Sequence, residues 1–218
     1  MVSTSSYDNC KKSLYKTISI SGNKGIDVGY KGESFQLLAP KKNFWKVWHN
    51  NIDKIPEDEN NKYYVEEYYK QVLSKLDPET IYEKLQYSIL LCYEDSDKFC
   101  HRHIVAAWFE LFLGVRVPEV KVNQLYIEEV EKTEKIKSVL ENVIKSNLNM
   151  KGFNCIQALY LFEKSNKMDD FASKLEEKGD CRSLDYMQAA AYLRSDADCC
   201  EEIYNEQQKQ KKKRLNCK

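Results

Sequence analysis

Apolar and polar residues follow one another in the first 122 positions in a pattern that predicts alternating strands and helices. Two stretches, 1–6 and 15–21, are rich in Thr, Ser, Ile and Val and predict short strands. The continuous apolar stretch 87–93 predicts a strand that is covered on both faces, as in a parallel sheet. A last short strand is expected over 117–122.

Helical spacing of apolar residues appears between these strands. Over 63–76 the apolar positions recur every three or four residues, which predicts a helix whose tyrosines pack inward. Asp77 and Pro78 supply an N-cap and a first-turn proline for the next helix. A further helix is predicted from Cys100 to Leu113 and ends at Gly114, because glycine readily adopts the left-handed conformation that ends helices.

Beyond residue 123 the pattern becomes helical throughout. Five helices are predicted there, and the last begins near Ser195 and continues into the basic end of the chain. The sequence therefore predicts an α/β fold with a small, mainly parallel sheet flanked by helices over residues 1–122. An all-helical C-terminal extension with a basic tail is expected over residues 123–218.

Charge and hydropathy limit the partners of the chain. The 34 basic and 34 acidic residues cancel, so no global field directs the protein to nucleic acid or anionic lipid. The segment Lys209–Lys218 is an exception, with six basic residues and no acid, and is interpreted either as a solvated tail or as a nucleic-acid contact. No apolar stretch reaches the roughly 20 residues that cross a bilayer, and no signal peptide follows Met1. We expect a soluble cytoplasmic protein with no membrane partner.

The cysteines and the motif content predict no bound cofactor. The eight cysteines contain no CxxC pair, which favours reduced thiols and argues against a metal site. The sequence also lacks a Walker loop, a dinucleotide fingerprint and an HExxH motif.

Candidate chemistry gathers where the predicted strand 87–93 is followed by a helix. Glu94 follows the strand, and Cys100-His101-Arg102-His103 opens the helix. Ligands of open parallel sheets bind at the carboxyl ends of the strands, so Glu94 should meet the ends of the first two strands. The serines expected there are Ser5 or Ser6 and Ser19 or Ser21, of which Ser5 and Ser21 are assigned to ligand binding.

Helix geometry assigns a direction to each side chain of the Cys-His-Arg-His segment. His101 shares a face with Ile104 and Trp108, which predicts that it points under the helix towards the sheet. Arg102 and His103 are expected to border the opening and to bind the ligand. Neighbouring residues of a helix diverge by about 100°, so Cys100 and His101 are not expected to form a nucleophile and base pair with each other.

The helix start also has an unusual charge. A helix N-terminus carries about half a positive charge and prefers acids, so Arg102 at this position requires a compensating anion. An internal acid, Glu94, Asp95 or Asp97, is one source of that anion. An external phosphate or carboxylate held by Arg102 and the free backbone N–H groups is the other.

Three residues are candidates for catalysis. Glu94 is suited to acid/base work or to binding a hydroxyl group, and Cys100 is suited to nucleophilic attack because the helix end and Arg102 favour its thiolate. His101 is the third candidate because it lies beside Cys100 in the same predicted site. The alternative for Cys100 is a small buried thiol that packs or caps the helix.

Four segments occur in an order that resembles a known family: Leu38-Ala39-Pro40; Leu73-Ser74-Lys75-Leu76-Asp77-Pro78-Glu79; Leu90-Leu91-Cys92-Tyr93-Glu94; and Phe99-Cys100-His101-Arg102-His103 with Ala106 and Trp108. They resemble the bacterial domain of unknown function 488 family over residues 1–122. The resemblance implies a small α/β domain with a largely parallel sheet. Ser3-Thr4-Ser5-Ser6-Tyr7 stands where members carry a Tyr-Thr-Ser-Tyr-Phe-like first strand. No activity is attached to the family.

The sequence leaves two functions open. The first is binding of an anionic small ligand, phosphorylated or nucleotide-like, at the strand-helix junction, with or without a reaction. The second is a non-catalytic interaction module whose helical extension recruits a protein or nucleic acid.

Overall fold

The computed structural model describes residues 1–10, 13–95, 98–121, 124–128 and 131–216. The chain forms two compact units, Met1–Asn147 and Leu148–Lys218. The first unit has the predicted α/β architecture, and the second is helical.

A six-stranded sheet forms the centre of the first unit, in the order β3-β2-β4-β1-β5-β6. The strands are β1 (Ser3–Ser6), β2 (Thr17–Ser19), β3 (Glu33–Ser34), β4 (Ile89–Cys92), β5 (Glu119–Lys121) and β6 (Gln124–Glu128). The first five run parallel, which confirms the predicted mainly parallel sheet, and β6 runs antiparallel to β5. The prediction of continuous helix beyond residue 123 is therefore wrong at β6, where a short Leu-Tyr-Ile stretch of strand-forming type extends the sheet at its edge. The two-residue strand β3 was not among the strands predicted from the sequence.

Strand β4 lies in the middle of the parallel part of the sheet, and all four of its residues are buried. Leu91 of β4 is level with Ser5 of β1 on one side and with Ser19 of β2 on the other. This register brings the carboxyl ends of three strands to the same edge of the sheet. The residues that follow β2 and β4 are consequently neighbours in space.

The described residues of the first unit form six α-helices: α1 (Tyr7–Cys10), α2 (Lys42–Asn50), α3 (Glu57–Gln71), α4 (Pro78–Lys84), α5 (His101–Leu113) and α6 (Glu131–Asn147). The predicted caps are confirmed at two of them. The Asp77 carboxylate accepts the Thr80 N–H at 2.9 Å at the start of α4. Gly114 ends α5 with a φ of 65°, in the left-handed region that glycine tolerates.

Helix α5 is buried on all sides over its first nine residues, His101–Phe109. It lies against strands β1 and β4 and is also contacted by α3, α4 and α6. A helix that is covered on all sides exposes no face to solvent. The expectation that Arg102 and His103 reach an opening is therefore wrong, because the side of α5 that carries them is covered as well.

Helix α6 belongs to the first unit because its apolar face packs on α3 and α5. The buried residues of this face are Ile136, Leu140, Val143 and Ile144. At the edge of the same contact, Lys137 Nζ pairs with Glu110 Oε2 of α5 at 2.8 Å. The boundary predicted near residue 123 thus lies inside the first unit, and the division falls after Asn147.

The second unit contains two helices that pack against each other, α7 (Ile156–Glu176) and α8 (Ser183–Asn216). Each replaces two of the shorter helices predicted from sequence, because neither range contains a glycine or proline to interrupt it. Ser195 is therefore an interior residue of α8. The basic residues from Lys209 to Arg214 continue α8 with exposed side chains, while residues 217 and 218 lie outside the described ranges.

None of the helices in the described part of the chain has both the length and the apolar character that crossing a bilayer requires.

The position of α6 predicts how far the chain can be shortened. A chain of residues 1–147 should unfold cooperatively in urea, whereas a chain of residues 1–122 should show no cooperative transition by circular dichroism. Each buried aliphatic side chain of α6 contributes about 1.5–3 kcal/mol. Together these contributions match a large part of the free energy of unfolding of a typical domain, which is roughly 5–15 kcal/mol. Equal midpoints for the two chains would contradict the assignment of α6 to this unit.

Candidate functional site

A cavity of about 640 Å³ opens at the carboxyl ends of β2 and β4. Ser21 and Gly22 line it just beyond β2, and Cys92, Tyr93 and Glu94 line it at the end of β4. The start of α5 closes the floor with Cys100 and His101. Its volume lies within the roughly 300–1,000 Å³ of small-molecule pockets. The cavity lies at the strand-helix junction that the sequence singles out.

One edge of the cavity is a network of polar side chains. The Tyr7 hydroxyl lies 2.5 Å from Ser19 Oγ and 2.8 Å from Ser21 Oγ, and Ser21 Oγ donates to Asn23 Oδ1 at 3.2 Å. The Tyr93 hydroxyl donates to Asn23 and to Asp27. The hydrogen bond from Tyr93 lowers the pKa of Asp27, which therefore carries a negative charge at neutral pH.

The walls of the cavity are aromatic. Trp45 and Trp48 come from α2, Tyr64 from α3, and Phe99 from the segment before α5. The Tyr64 ring lies 5.3 Å from Trp48 and 5.4 Å from Phe99, measured between ring centroids, in edge-to-face contacts. Neither tryptophan was assigned to the site from the sequence. Their spacing of three residues, which puts both on one face of α2, is the signal that was present.

The floor of the cavity is a cluster of two thiols and an imidazole, which we term the Cys-His cluster (Cys92, Cys100, His101). His101 Nδ1 lies 3.5 Å from Cys92 Sγ and 3.9 Å from Cys100 Sγ. His101 Nε2 lies 3.0 Å from the Ile20 carbonyl oxygen. Because a carbonyl oxygen only accepts hydrogen bonds, Nε2 carries a hydrogen, and in the neutral ring Nδ1 therefore presents its lone pair to the sulfurs.

The approach of Cys100 to His101 differs from the expectation that these neighbours diverge. Cys100 is the N-cap of α5 and has an extended backbone, with φ −153° and ψ 146°. The helical divergence of about 100° per residue applies only between residues inside a helix. The cap conformation therefore permits the contact that helical geometry forbids.

Three ionisable side chains that line the cavity, Cys92, Cys100 and Glu94, differ in the direction of their pKa shifts. Burial raises the pKa of Cys92, and the adjacent Cys100 adds to that effect. For Cys100, burial acts in the same direction, but the hydrogen bond from Cys92 and the charge of Arg102 outweigh it and lower the pKa. Burial and the charge on Cys100 raise the pKa of Glu94. Cys100 is therefore the thiol of the pair that ionises more readily, and Glu94 lines the cavity without an ion-pair partner among the described residues.

Arg102 has a different role from the predicted one, because it is fully buried and pairs with Glu119 of β5. Its Nε and Nη2 atoms donate to Glu119 Oε1 at 3.1 and 2.9 Å, and Thr4 Oγ1 donates to Oε2 at 2.5 Å. His103, also buried, has its Nε2 atom 3.5 Å from the same oxygen. Arg102 and His103 are not among the described residues that line the cavity.

Glu119 is thus the internal anion that the helix start requires. Sequence reasoning proposed Glu94, Asp95 or Asp97 for this role; Asp97 lies outside the described residues, and the other two do not contact Arg102 there. The available signal was an acid within a short strand that the fold buries, since a buried carboxylate needs a cationic partner. Burial opposes the charge of Glu119, but His103 and Arg102 offset this and lower its pKa.

The two predicted serines separate in the structure. Ser21 lines the cavity, in agreement with its predicted place. Ser5 is fully buried, and its hydroxyl donates to the Val120 carbonyl oxygen of β5 at 2.5 Å. Because this bond ties β1 to β5, Ser5 is not among the described residues of the cavity lining.

No protein-family model, curated protein or solved structure matches this chain. The resemblance to the domain of unknown function 488 family therefore stays a prediction from sequence.

The buried ion pair predicts the effect of a neutral substitution. Glu119→Gln leaves the Arg102 guanidinium buried without a counter-charge, so the free energy of unfolding at pH 7 should fall by about 3–5 kcal/mol in urea. Lys135→Met is the matched control, because Lys135 and Asp58 form a pair with side chains 63% and 73% exposed. The control should change stability little.

The same carboxylate predicts a pH dependence. Its pKa is lower in the folded chain, so its contribution is present above the ordinary glutamate pKa of about 4.3 and is lost as the pH falls through the folded value. Wild type should lose stability below about pH 4.3 more steeply than Glu119→Gln does. Parallel stability profiles for the two proteins would show that Glu119 is not a charged partner of Arg102.

Proposed function

We propose that this protein binds a small, planar, polar molecule of the nucleobase or nucleoside type in the cavity beyond β2 and β4. The observation that carries the proposal is the lining itself, in which aromatic walls surround a polar edge and a reactive floor. Aromatic side chains stack on flat rings, and a nearby row of polar groups recognises the edge of such a ring.

The walls supply affinity for a flat ring. Trp45 is 39% exposed and lies parallel to His49, with the ring centroids 4.9 Å apart and an interplanar angle of 8°. Trp48 and Tyr64 form the deeper part of the wall. Stacking of a base on one aromatic side chain is worth about 1–3 kcal/mol. An apolar molecule without polar groups would leave the hydrogen-bonding edge unused.

The polar groups supply orientation. Ser21, Asn23 and Asp27 lie along one edge of the cavity, and Glu94 lies at the end of β4. Carboxylate oxygens accept hydrogen bonds from the amino groups of nucleobases and from the hydroxyl groups of sugars. A ligand that stacks on the walls can therefore direct donors to Asp27 and Glu94.

The charge of the lining bears on the predicted phosphate. Lys42 is the one cationic side chain among the described lining residues, whereas Asp27 and Glu94 are acidic. Arg102 is already paired with Glu119. A phosphorylated or nucleotide-like ligand is thus expected to be recognised by its ring, with the phosphate at the mouth of the cavity. Whether a reaction follows depends on the Cys-His cluster.

The proposed compartment is the cytoplasm. The seven cysteines in the described residues form no disulfide, which suits a reducing environment.

The alternative, recruitment of a nucleic acid by the basic end of α8, has support in the exposed side chains of Lys209, Lys211, Lys212, Lys213 and Arg214. We place it second, because like-charge segments at a chain end are common in solvated helices.

A thermal-shift comparison of adenosine, AMP, ribose 5-phosphate and inorganic phosphate tests the proposal. Adenosine and AMP should both stabilise the full chain, by about 2.7 kcal/mol at 100 times the dissociation constant. Ribose 5-phosphate and phosphate should have no comparable effect. Stabilisation by ribose 5-phosphate or phosphate equal to that by adenosine would favour anion recognition and contradict the proposal, as would no stabilisation by any of the four.

Two substitutions locate the binding. Trp45→Ala should weaken adenosine binding by about 1–3 kcal/mol, measured by calorimetry. Tyr192→Ala is the control, because Tyr192 is 65% exposed on α8 and does not line the cavity. Equal affinities for wild type and Trp45→Ala would place the ligand elsewhere.

A further inference from the structure

The Cys-His cluster has the composition of a zinc site. Two cysteines and one histidine are the protein ligands of one class of catalytic zinc centre, in which substrate or water takes the fourth position. Sequence reasoning expects no metal, because the cysteines have no CxxC spacing. The two cysteines are brought together by the fold, because Cys92 is the last residue of β4 and Cys100 is the N-cap of α5 at the same edge of the sheet.

The distances within the cluster fit one tetrahedral ion. Zinc lies about 2.3 Å from sulfur and about 2.0–2.1 Å from nitrogen, so a tetrahedral site separates sulfur from nitrogen by about 3.5 Å and the two sulfurs by about 3.8 Å. His101 Nδ1 lies 3.5 Å from Cys92 Sγ and 3.9 Å from Cys100 Sγ. All three ligand atoms lie within 4.8 Å of one another. Small side-chain rotations are sufficient to place them around one ion.

The histidine is already oriented as a metal ligand. Zinc-binding histidines usually donate their second ring N–H to a carbonyl or carboxylate, which fixes the ring and leaves the first nitrogen free to bind. His101 Nε2 makes this bond to the Ile20 carbonyl oxygen at 3.0 Å. Nδ1 therefore faces the two sulfurs and is the nitrogen whose lone pair is free in the neutral ring.

The surroundings of the Cys-His cluster also suit a metal ion. Cys92, Cys100 and His101 are 4%, 4% and 6% exposed, and all three line the cavity. Two thiolates neutralise a divalent cation, so the bound ion would leave no net charge in this buried place. The fourth position of the ion would face the cavity, where a substrate or water has access.

We propose that Cys92, Cys100 and His101 bind one zinc ion, with an open coordination position in the cavity. Binding releases to solvent the protons that the two thiols still carry, and involves no change of oxidation state. The bound ion would act as a Lewis acid towards a ligand in the cavity. The proposal does not depend on the planar ligand proposed above, because it is tested with zinc alone.

The test is zinc binding by the full chain after treatment with a chelator and a reductant. Wild type should bind one zinc per chain in a titration followed by elemental analysis. The variants Cys92→Ser, Cys100→Ser and His101→Asn should each lose at least about 100-fold in affinity, more than outer-shell changes usually cost. Cys181→Ser and Cys200→Ser are the controls, since these cysteines lie outside the cluster. They should bind as wild type does.

Cobalt(II) provides a spectroscopic signal that appears only if the cysteines of the cluster bind the metal. Wild type should give the intense visible bands of tetrahedral cobalt and the near-ultraviolet band of cobalt-thiolate bonds. Both should be lost in Cys92→Ser but kept in Cys181→Ser. Zinc bound equally by wild type and by the three cluster variants, or a stoichiometry near zero for wild type, would overturn the proposal.

A measurement on the wild type alone covers variants that fail to fold. Iodoacetamide labelling followed by mass spectrometry should show at least about 10-fold slower labelling of Cys92 and Cys100 when zinc is present, because zinc-bound thiolates are poor nucleophiles. Labelling of the exposed Cys181 should not change. The proposal would be contradicted if saturating zinc left the labelling rates of Cys92 and Cys100 unchanged. A disulfide between Cys92 and Cys100 in the freshly purified chain would contradict it as well.

Discussion

The buried ion pair between Arg102 and Glu119 is the interaction on which the site depends. It joins α5 to β5, and Thr4 of β1 donates to the same carboxylate. A buried guanidinium is tolerated only with an ionic partner of good geometry, so this pair allows little rotation of the first turn of α5. Successive helix positions are about 100° apart, which fixes the direction of His101 once Arg102 is held.

This constraint divides the Cys-His-Arg-His segment into two pairs of residues with different tasks. Arg102 and His103 point into the interior and anchor the helix to the sheet. Cys100 and His101 line the cavity together with Cys92. The unfavourable charge of an arginine at a helix start is offset by Glu119 inside the fold, so it is not evidence of an external anion. Recognition in the cavity must come from its own lining.

Local patterns in the sequence predicted much of the fold. Strands β1, β2, β4 and β5, the cap at Asp77 and the end of α5 at Gly114 all follow from neighbouring residues, and the structure confirms them. The β6 strand and the long helices α7 and α8 were not predicted, because the pairing of β6 with β5 and the packing of α7 on α8 decide them. Such tertiary contacts override weak local propensities.

The place of the site was predictable, but its chemistry was not. The rule for carboxyl ends of parallel strands located the cavity at Glu94 and Ser21. The partner of Arg102 could not be inferred, because Glu119 is 17 residues away on β5, which becomes a neighbour of α5 only through its place beside β1 in the sheet. The Cys-His cluster depends on the extended backbone of Cys100, a property of one cap residue that periodicity does not reveal.

The central claim is that the fold directs the Nε2–H of His101 to the Ile20 carbonyl oxygen, so that Nδ1 is the ring nitrogen that faces two sulfur atoms and can bind a metal. Nitrogen-15 NMR of the histidine side chains in the metal-free full chain at neutral pH tests this most directly. The chain has three histidines, so His101→Asn identifies the signals of interest. The account predicts that Nε2 carries a hydrogen and that Nδ1 is the nitrogen without one in the neutral ring. A neutral ring with its hydrogen on Nδ1 and a bare Nε2 would contradict it.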